Sequence, residues 1–475
     1  MLGFYSIPIG AVLILVLHLL GASKRWLLNV FYGTLVFAFA INVTEWGSGS
    51  RSIAHLFKVD DFTRFFTAIF IFVIILAALA LHHHTTVYDG MDGGTENNTI
   101  ILSLLLLATF AMVLVASSIS VISLFLSMEF LAIAFYELVA LKKDKIGMEA
   151  AIKFFVVGVF SSLLFLLGAA FYYGALGTMD FSALETASYS PFLIASLVLI
   201  LTGIGFKMSL FPLNLWLPDV YEGSPASITA ILAGAAKKAG FAAYMRFLAP
   251  LMLPALRFKH LSMEGAAFSP WHMLMALIAA STMLFGAIAA VLQQNVKRLI
   301  AYSIISHAGF IAIGLAAGTR LGYMAAFLHI LVHALMALGI FLMISMLEER
   351  GLHTLDDYNG LAKRNPTFAF MFALFLASLT GIPPLAGFFS KFLLFTSAVN
   401  AGMTWLVVVA VITSLISSYF YFVILRRMYG YEASEKAISL QFTVPQIISV
   451  ALPAVLTVLF GLFPNSLLNL ISTLL

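Results

Sequence analysis

The 475-residue chain has no cysteine, and only 10% of its residues are charged. The first lack excludes disulfides, thiolate metal sites and cysteine-held iron–sulfur clusters within this chain. The second excludes an ordinary soluble domain, which would carry roughly a quarter charged residues. Also missing are a P-loop, a GxGxxG turn after a strand and a helix-borne ligand set for haem. No nucleotide, redox centre or cofactor is therefore expected in the chain itself, and the energy for any transport would have to come from an ion gradient or a partner subunit. The N-terminus MLGFYSIPIGAVLILVLHLLG lacks a basic n-region and a small-residue cleavage pattern, so it reads as a first span that stays. The formal net charge of +4 belongs to loops facing a membrane surface, not to a nucleic-acid footprint.

What is present is apolar. Hydrophobic residues make up 62% of the chain, and the mean hydropathy is +1.06. Apolar stretches of about 20 residues recur throughout, each long enough to cross a bilayer as a helix. The fold class is an all-α membrane protein with about fourteen transmembrane helices. They fall near 4–21, 26–44, 62–82, 99–116, 118–141, 149–174 and 191–213, then 226–249, 271–293, 298–317, 322–347, 367–397, 402–428 and 442–465. FPLNLWLPD, with Pro212 and Pro218, interrupts the seventh, and GIPPLAG interrupts the twelfth. The longest polar connection covers 82–98.

Of the 25 lysines and arginines, thirteen lie in loops after odd-numbered spans, among them Lys142, Lys143, Lys145, Arg298 and Lys436. Seven lie on the other side, among them Arg51, Lys58, Arg246, Arg257 and Lys259. The positive-inside bias puts the odd loops in the cytoplasm and both termini on the outer face of a prokaryotic inner (plasma) membrane. The two broken spans are five apart, and each carries a deep lysine. That spacing fits two five-helix repeats of odd helix number, hence inverted, as in transport folds with discontinuous helices at a midplane site. The expected segments are an N-terminal three-helix part with its polar loop (1–98), a first repeat (99–250), a second repeat (271–428) and a C-terminal helix (429–475).

Five lysines remain inside the spans: Lys153, Lys207, Lys237, Lys238 and Lys391. Glu129 lies mid-span and Glu137 nearer the cytoplasmic end. A mid-bilayer lysine costs about 2.5–3.5 kcal/mol on insertion scales. Lys153, four residues after Glu149, reads either as a snorkelling or ion-paired residue or as part of a relay. Lys207 and Lys391 each sit beside a helix break, where freed backbone groups demand polar partners, and proton handling is the expected role. Lys237 and Lys238 point about 100° apart on a helix, so both cannot face one channel. Glu129 is the best carboxylate partner for a lysine, since each charge shifts the other's proton affinity. His329 and His333 stand four apart, a spacing open to zinc; a hydrogen-bonded relay completed by His307 is the other reading, favoured because no third ligand accompanies them. Asp219 and Glu222 read as a clasp for the broken helix or as proton-uptake groups.

Several stretches resemble a known family. FKMSLFPLNLWLPDVYEGSPASITAILAGAAKKAGF, NVKRLIAYSIISHAGFIAIGL and SLTGIPPLAGFFSKFLLF are similar to the antiporter-like membrane subunits of respiratory complex I. PDVYEGSP, SMEFLAIAFYELVAL and EAAIKFFVVGVFSSLLFLLGAAFYYGALGTMDF look most like the subunit N branch, counterpart of mitochondrial subunit 2. The similarity runs from about 60 to 430, within a superfamily shared with Mrp antiporters and membrane-bound hydrogenases. It implies a proton-translocating subunit of an NADH (or related donor):quinone oxidoreductase, with two half-channels joined by a polar axis. Residue by residue, it matches the family's fifth-span glutamate to Glu129 and the sixth-span lysine to Lys153. The broken-helix lysine matches Lys207, the eighth-span lysine Lys237, and the twelfth-span residue Lys391. The implied partners are other membrane subunits, with quinone, flavin and iron–sulfur clusters held elsewhere in the assembly. Three departures stand out: Asn214 where many relatives have histidine, the extra Lys238, and His329 with His333, which look like the other branches. A cation/proton antiporter subunit is the alternative transporter, and a scaffold without transport is the rival from another class. The lysines in the spans argue against the scaffold.

Overall fold

The computed structural model describes residues 2–81, 95–188, 190–252, 270–432 and 442–474. Positions 82–94 of the expected polar connection, and Arg257, Lys259 and Lys436, lie outside them. The described residues are helical almost throughout, because within a bilayer a helix satisfies every backbone N–H and C=O group inside its own segment. Twelve helices among the described residues are long and apolar enough to cross a membrane. The two further spans expected from sequence fall on interrupted helices: Ala226–Ile231 running through Leu232–Ala236 into Lys237–Met252, and the pair Pro366–Thr380 and Ala386–Asn400.

The chain forms two compact units. The first takes in Met1–Met208 and Gly223–Pro250. Its spans 3 (Asp61–Leu81) and 4 (Thr95–Ser117) are well covered, whereas spans 1, 2 and 6 leave rows of Leu, Ile, Val and Phe exposed. Ser120 and Ser123 form a reciprocal cap on span 5 (Val121–Val139), and Asp144 caps span 6 (Lys145–Leu176) by accepting from the Gly147 N–H at 2.6 Å. Between spans 2 and 3 lies a feature without a counterpart in the sequence reading, an antiparallel hairpin pairing Arg51–Ile53 with Phe57–Val59. Its turn residues Ala54 and His55 have φ of 52° and 56°, the left-handed pair that a type I′ turn requires. Arg246 anchors this end: its guanidinium reaches both oxygens of Asp60 at 2.6 and 2.7 Å, donates to the carbonyls of Ala116 and Lys58, and stacks on Phe62.

The second unit takes in Ser209–Glu222 and Leu251–Leu475. Spans 10 (Val296–Ala317) and 11 (Arg320–Glu348) form its centre, each 94% buried over its most apolar stretch. Polar side chains on these two helices are therefore surrounded by protein. Spans 13 (Thr404–Gly430) and 14 (Val444–Leu462) lie outside them with mostly uncovered apolar faces.

Both expected helix breaks are present, with one correction. Span 7 (Pro191–Met208) ends where Ser209 takes φ of 57°, and the chain turns through Leu210–Leu215 before Trp216–Gly223 resumes the helix. Pro212 lies in that turn. Pro218 does not: it sits in the first turn of the new helix, where its missing N–H leaves no bond unmade. Span 12 breaks at Gly381, whose φ of 94° ends its first half.

Candidate functional site

In the first unit the fifth-span carboxylate and the broken-helix lysine lie within electrostatic range of each other. Glu129 is half-buried and accepts a short hydrogen bond from the Ser162 hydroxyl of span 6. Lys207, one residue before the end of its helix, is part-buried. Its Nζ stands 5.4 Å from the Phe206 ring centroid and 6.0 Å from that of Phe154. Tyr136 closes on Phe154 edge-to-face at 5.0 Å. Lys207 thus has a carboxylate for its charge and ring faces for its apolar surroundings. Gly240 of span 8 makes the close approach possible, since a Cβ there would meet the Lys207 carbonyl carbon at 2.9 Å.

Span 8 brings the two adjacent lysines. Leu232–Ala236 is wound as a π-helix immediately before them, a local widening often found at functional positions. The extra lysine has a partner there: Lys238 Nζ donates to the Ala233 carbonyl at 3.0 Å and is fully buried. Lys237 is 4% exposed. Lys153 is placed differently. It is 45% exposed on the outer side of span 6 and paired with Glu149 at 2.8 Å, which is the geometry of a snorkelling, ion-paired lysine.

In the second unit the three histidines come together. His307 Nδ1 and His329 Nε2 are 3.1 Å apart, and the two rings lie nearly parallel. The His333 ring is 4.9 Å from that of His307. All three side chains are buried. Among the described residues no group of three or more His, Asp or Glu is arranged to hold a metal ion. His329 Nδ1 in turn meets Ser390 Oγ at 2.9 Å.

Lys391 follows Ser390 in the second half of span 12. Its Nζ donates to the carbonyls of Leu379 and Thr380 at 2.8 and 3.1 Å, two of the groups freed where the first half-helix stops. The negative end of that half-helix faces the ammonium, and the Phe310 ring centroid lies 4.5 Å from Nζ. Gly381 leaves space for the lysine stem, because a Cβ there would come within 3.2 Å of Lys391 Cδ.

Asp219 and Glu222 form a clasp. Arg298 Nη1 donates to Asp219 at 2.6 Å and to Glu222 at 2.8 Å, and Asn295 donates to the second oxygen of Glu222. Lys297 is buried beside them, paired with Glu348 at 3.0 Å. Asn214 in the turn is fully buried, and its amide oxygen and nitrogen have no hydrogen-bond partner among the described residues.

Sequence reasoning missed Ser162, Ser390 and Phe310. Hydroxyls and phenylalanines are too frequent in membrane helices for spacing to single them out. The one available signal was the position of Ser390, next to a lysine in a broken span.

The residues thus placed can be set beside known proteins. A profile of the family described as "NADH:quinone oxidoreductase/Mrp antiporter, TM" matches residues 118–417. NADH-quinone oxidoreductase subunit N of Nitrosomonas europaea is 37% identical over 376 residues, covering 78% of this chain and 76% of the relative. F(420)H(2) dehydrogenase subunit N of Methanosarcina mazei is 35% identical, covering 87% of this chain and 83% of the relative. Among solved structures, a chain of respiratory complex I from Thermus thermophilus superposes with a TM-score of 0.82 at 27% identity, covering 98% of both chains. The chain belongs to the NADH:quinone oxidoreductase/Mrp antiporter family of membrane proteins.

Proposed function

We propose that this chain is the proton-translocating, subunit N-type membrane subunit of a complex I-type quinone oxidoreductase. In this reading Glu129, Lys207 and Lys237 carry protons in the first unit, and His307, His329, His333 and Lys391 carry them in the second. Redox chemistry in partner subunits, which would hold the flavin, iron–sulfur clusters and quinone, drives the movement. Lys153 is at most peripheral, since its exposed pairing with Glu149 needs no relay to account for it. The inverted five-helix repeats and the outer placement of both termini belong to the same proposal.

The observation that carries the reading is the seat of Lys391. A lysine ammonium has three N–H donors and a neutral amine has two. Two carbonyls, Leu379 and Thr380, hold the group. It can therefore give up one proton and keep both bonds, so the helix break stays satisfied through a transfer cycle. A lysine can part with its proton when buried, whereas arginine keeps its own.

The test uses the assembled complex in membrane vesicles. Glu129→Gln, Lys207→Ala and Lys391→Ala should each lower donor-driven proton uptake strongly at equal complex content. Quinone reduction should fall in the same direction, because a step that pushes protons must feel their blockage. Normal proton uptake in all three variants would defeat the proposal.

A further inference from the structure

Between the histidines and Lys391 stands the Phe310 ring, 5.6 Å from the His307 ring, 6.4 Å from the His329 ring and 4.5 Å from Lys391 Nζ. A benzene ring neither takes nor gives a proton. Ser390 is a buried protic group that touches His329 and also adjoins Lys391 in the chain, and its one hydroxyl hydrogen constrains the direction of its hydrogen bonds. A backbone carbonyl only accepts, so in the arrangement that satisfies Gly387 the 3.1 Å contact from Ser390 Oγ to its carbonyl uses the single hydroxyl hydrogen. The 2.9 Å contact to His329 Nδ1 must then be donated by the imidazole. In neutral His329 that leaves Nε2 as an acceptor, and the 3.1 Å contact must be donated by His307 Nδ1–H. In that arrangement the wire is polarised from His307 through His329 to Ser390, and its last hydrogen points at a carbonyl that cannot pass it on.

From this we infer that Ser390 is a proton-transfer residue, the hydroxyl that passes protons from the His307–His329 pair to Lys391. This rests on the reading of Lys391 as a proton carrier. A proton arriving at His307 displaces the Nδ1 hydrogen to His329 Nε2, and His329 becomes imidazolium. Its Nδ1 proton passes to Ser390 Oγ as the hydroxyl gives its own hydrogen to the neutral amine of Lys391. The products are two neutral imidazoles, an intact hydroxyl and one ammonium, so charge and atoms balance. The movement needed is a turn of the hydroxyl hydrogen about the Cβ–Oγ bond, away from Gly387, while Oγ stays against His329 Nδ1. Lys391 is the next residue along the helix, about 100° around the axis, and the transfer requires its amine to come within hydrogen-bond reach of that oxygen.

The experiment compares Ser390→Thr, Ser390→Val and Ser390→Ala with Lys391→Ala in the assembled complex. Threonine and valine share a shape and differ in the hydroxyl, so packing is held constant between them. Donor-driven proton uptake per complex should stay within about twofold of wild type in Ser390→Thr and fall at least about tenfold in Ser390→Val and Ser390→Ala, a rise of roughly 1.4 kcal/mol or more in the transfer barrier. Valine pumping like threonine, or alanine pumping like wild type, while Lys391→Ala is defective would overturn the role of Ser390 alone. If Lys391→Ala also pumps normally, the proton-carrier reading beneath it fails instead.

Discussion

Lys391 Nζ lies 2.8 Å from the Leu379 carbonyl, twelve residues back across the break in its own span. The lysine is both the proton carrier of the proposal and the cap of a half-helix, and these roles separate on substitution. Lys391→Arg can still satisfy the carbonyls of Leu379 and Thr380 but keeps its proton at any accessible pH. We expect Lys391→Arg to assemble and melt close to wild type while losing proton uptake. Lys391→Ala should lose uptake and also melt earlier, since each stranded carbonyl costs about 1–3 kcal/mol. An arginine variant that pumps at the wild-type rate would make Lys391 a fixed charge.

The Arg298 clasp should matter for stability before it matters for proton flow. One guanidinium nitrogen joins Asp219 and Glu222, holding the Trp216–Gly223 helix to the start of span 10. The side chains are more than a quarter exposed, so the effect should sit at the low end of the range for hydrogen bonds to charged groups, about 1.5 kcal/mol. Arg298→Ala should lower the melting temperature of the purified complex. Arg298→Lys should fall between, because it keeps the charge but its ammonium is more strongly hydrated than a guanidinium. An unchanged melt in Arg298→Ala would remove the clasp.

Asp60 supplies a pH dependence. Burial alone would raise its carboxyl, but the hydrogen bonds and charge of Arg246 outweigh burial and hold it below the ordinary carboxylate range. A depressed carboxyl stabilises the fold fully above its unfolded pKa of about 3.9, and the contribution is lost as pH falls through the lower folded value. This anchor should therefore be indifferent between pH 8 and about 5 and weaken in stronger acid. Asp60→Asn should abolish that acid step in thermal melts and destabilise at neutral pH by leaving Arg246, 13% exposed, without its carboxylate.

Topology can be read with thiol labelling, since the chain has no native cysteine. Lys142→Cys and Ser182→Cys lie beyond opposite ends of Lys145–Leu176, a 32-residue helix. A membrane-impermeant reagent added outside intact cells should label position 182 and spare position 142. The reverse pattern would invert the topology, and labelling of both would break the span assignment.

The spans were legible in the sequence because a bilayer permits so few backbone solutions; an apolar run of sufficient length has to be a helix. The break at Gly381 and the depth of Lys391 were legible for the same reason: glycine, proline and a lysine stand out against a uniform apolar background. The seat of Lys391 on Leu379 and Thr380 was not, because hydrogen-bond partners depend on how the chain folds back. The hairpin at 51–59 was hidden by its turn, where Ala54 and His55 hold left-handed conformations that the sequence does not mark with glycine or asparagine. Arg246 and Asp60, 186 residues apart, share no local pattern at all. Ser390 was visible only as one more small polar residue until His329 was found against it.

The π-wound turn at Leu232–Ala236 has a geometric consequence for the lysines after it. A π-turn accommodates one more residue than an α-turn, so everything beyond it sits one position out of step with the helix before it. Rewinding those residues as α-helix would rotate the remainder by about 100° and carry Lys237 into the angular place Lys238 now holds, while Ala236 would take the place of Lys237. Deleting one residue within the turn would leave both lysines where they are. One side of the helix thus presents an ammonium in either winding, and the other presents one only while the wide turn persists.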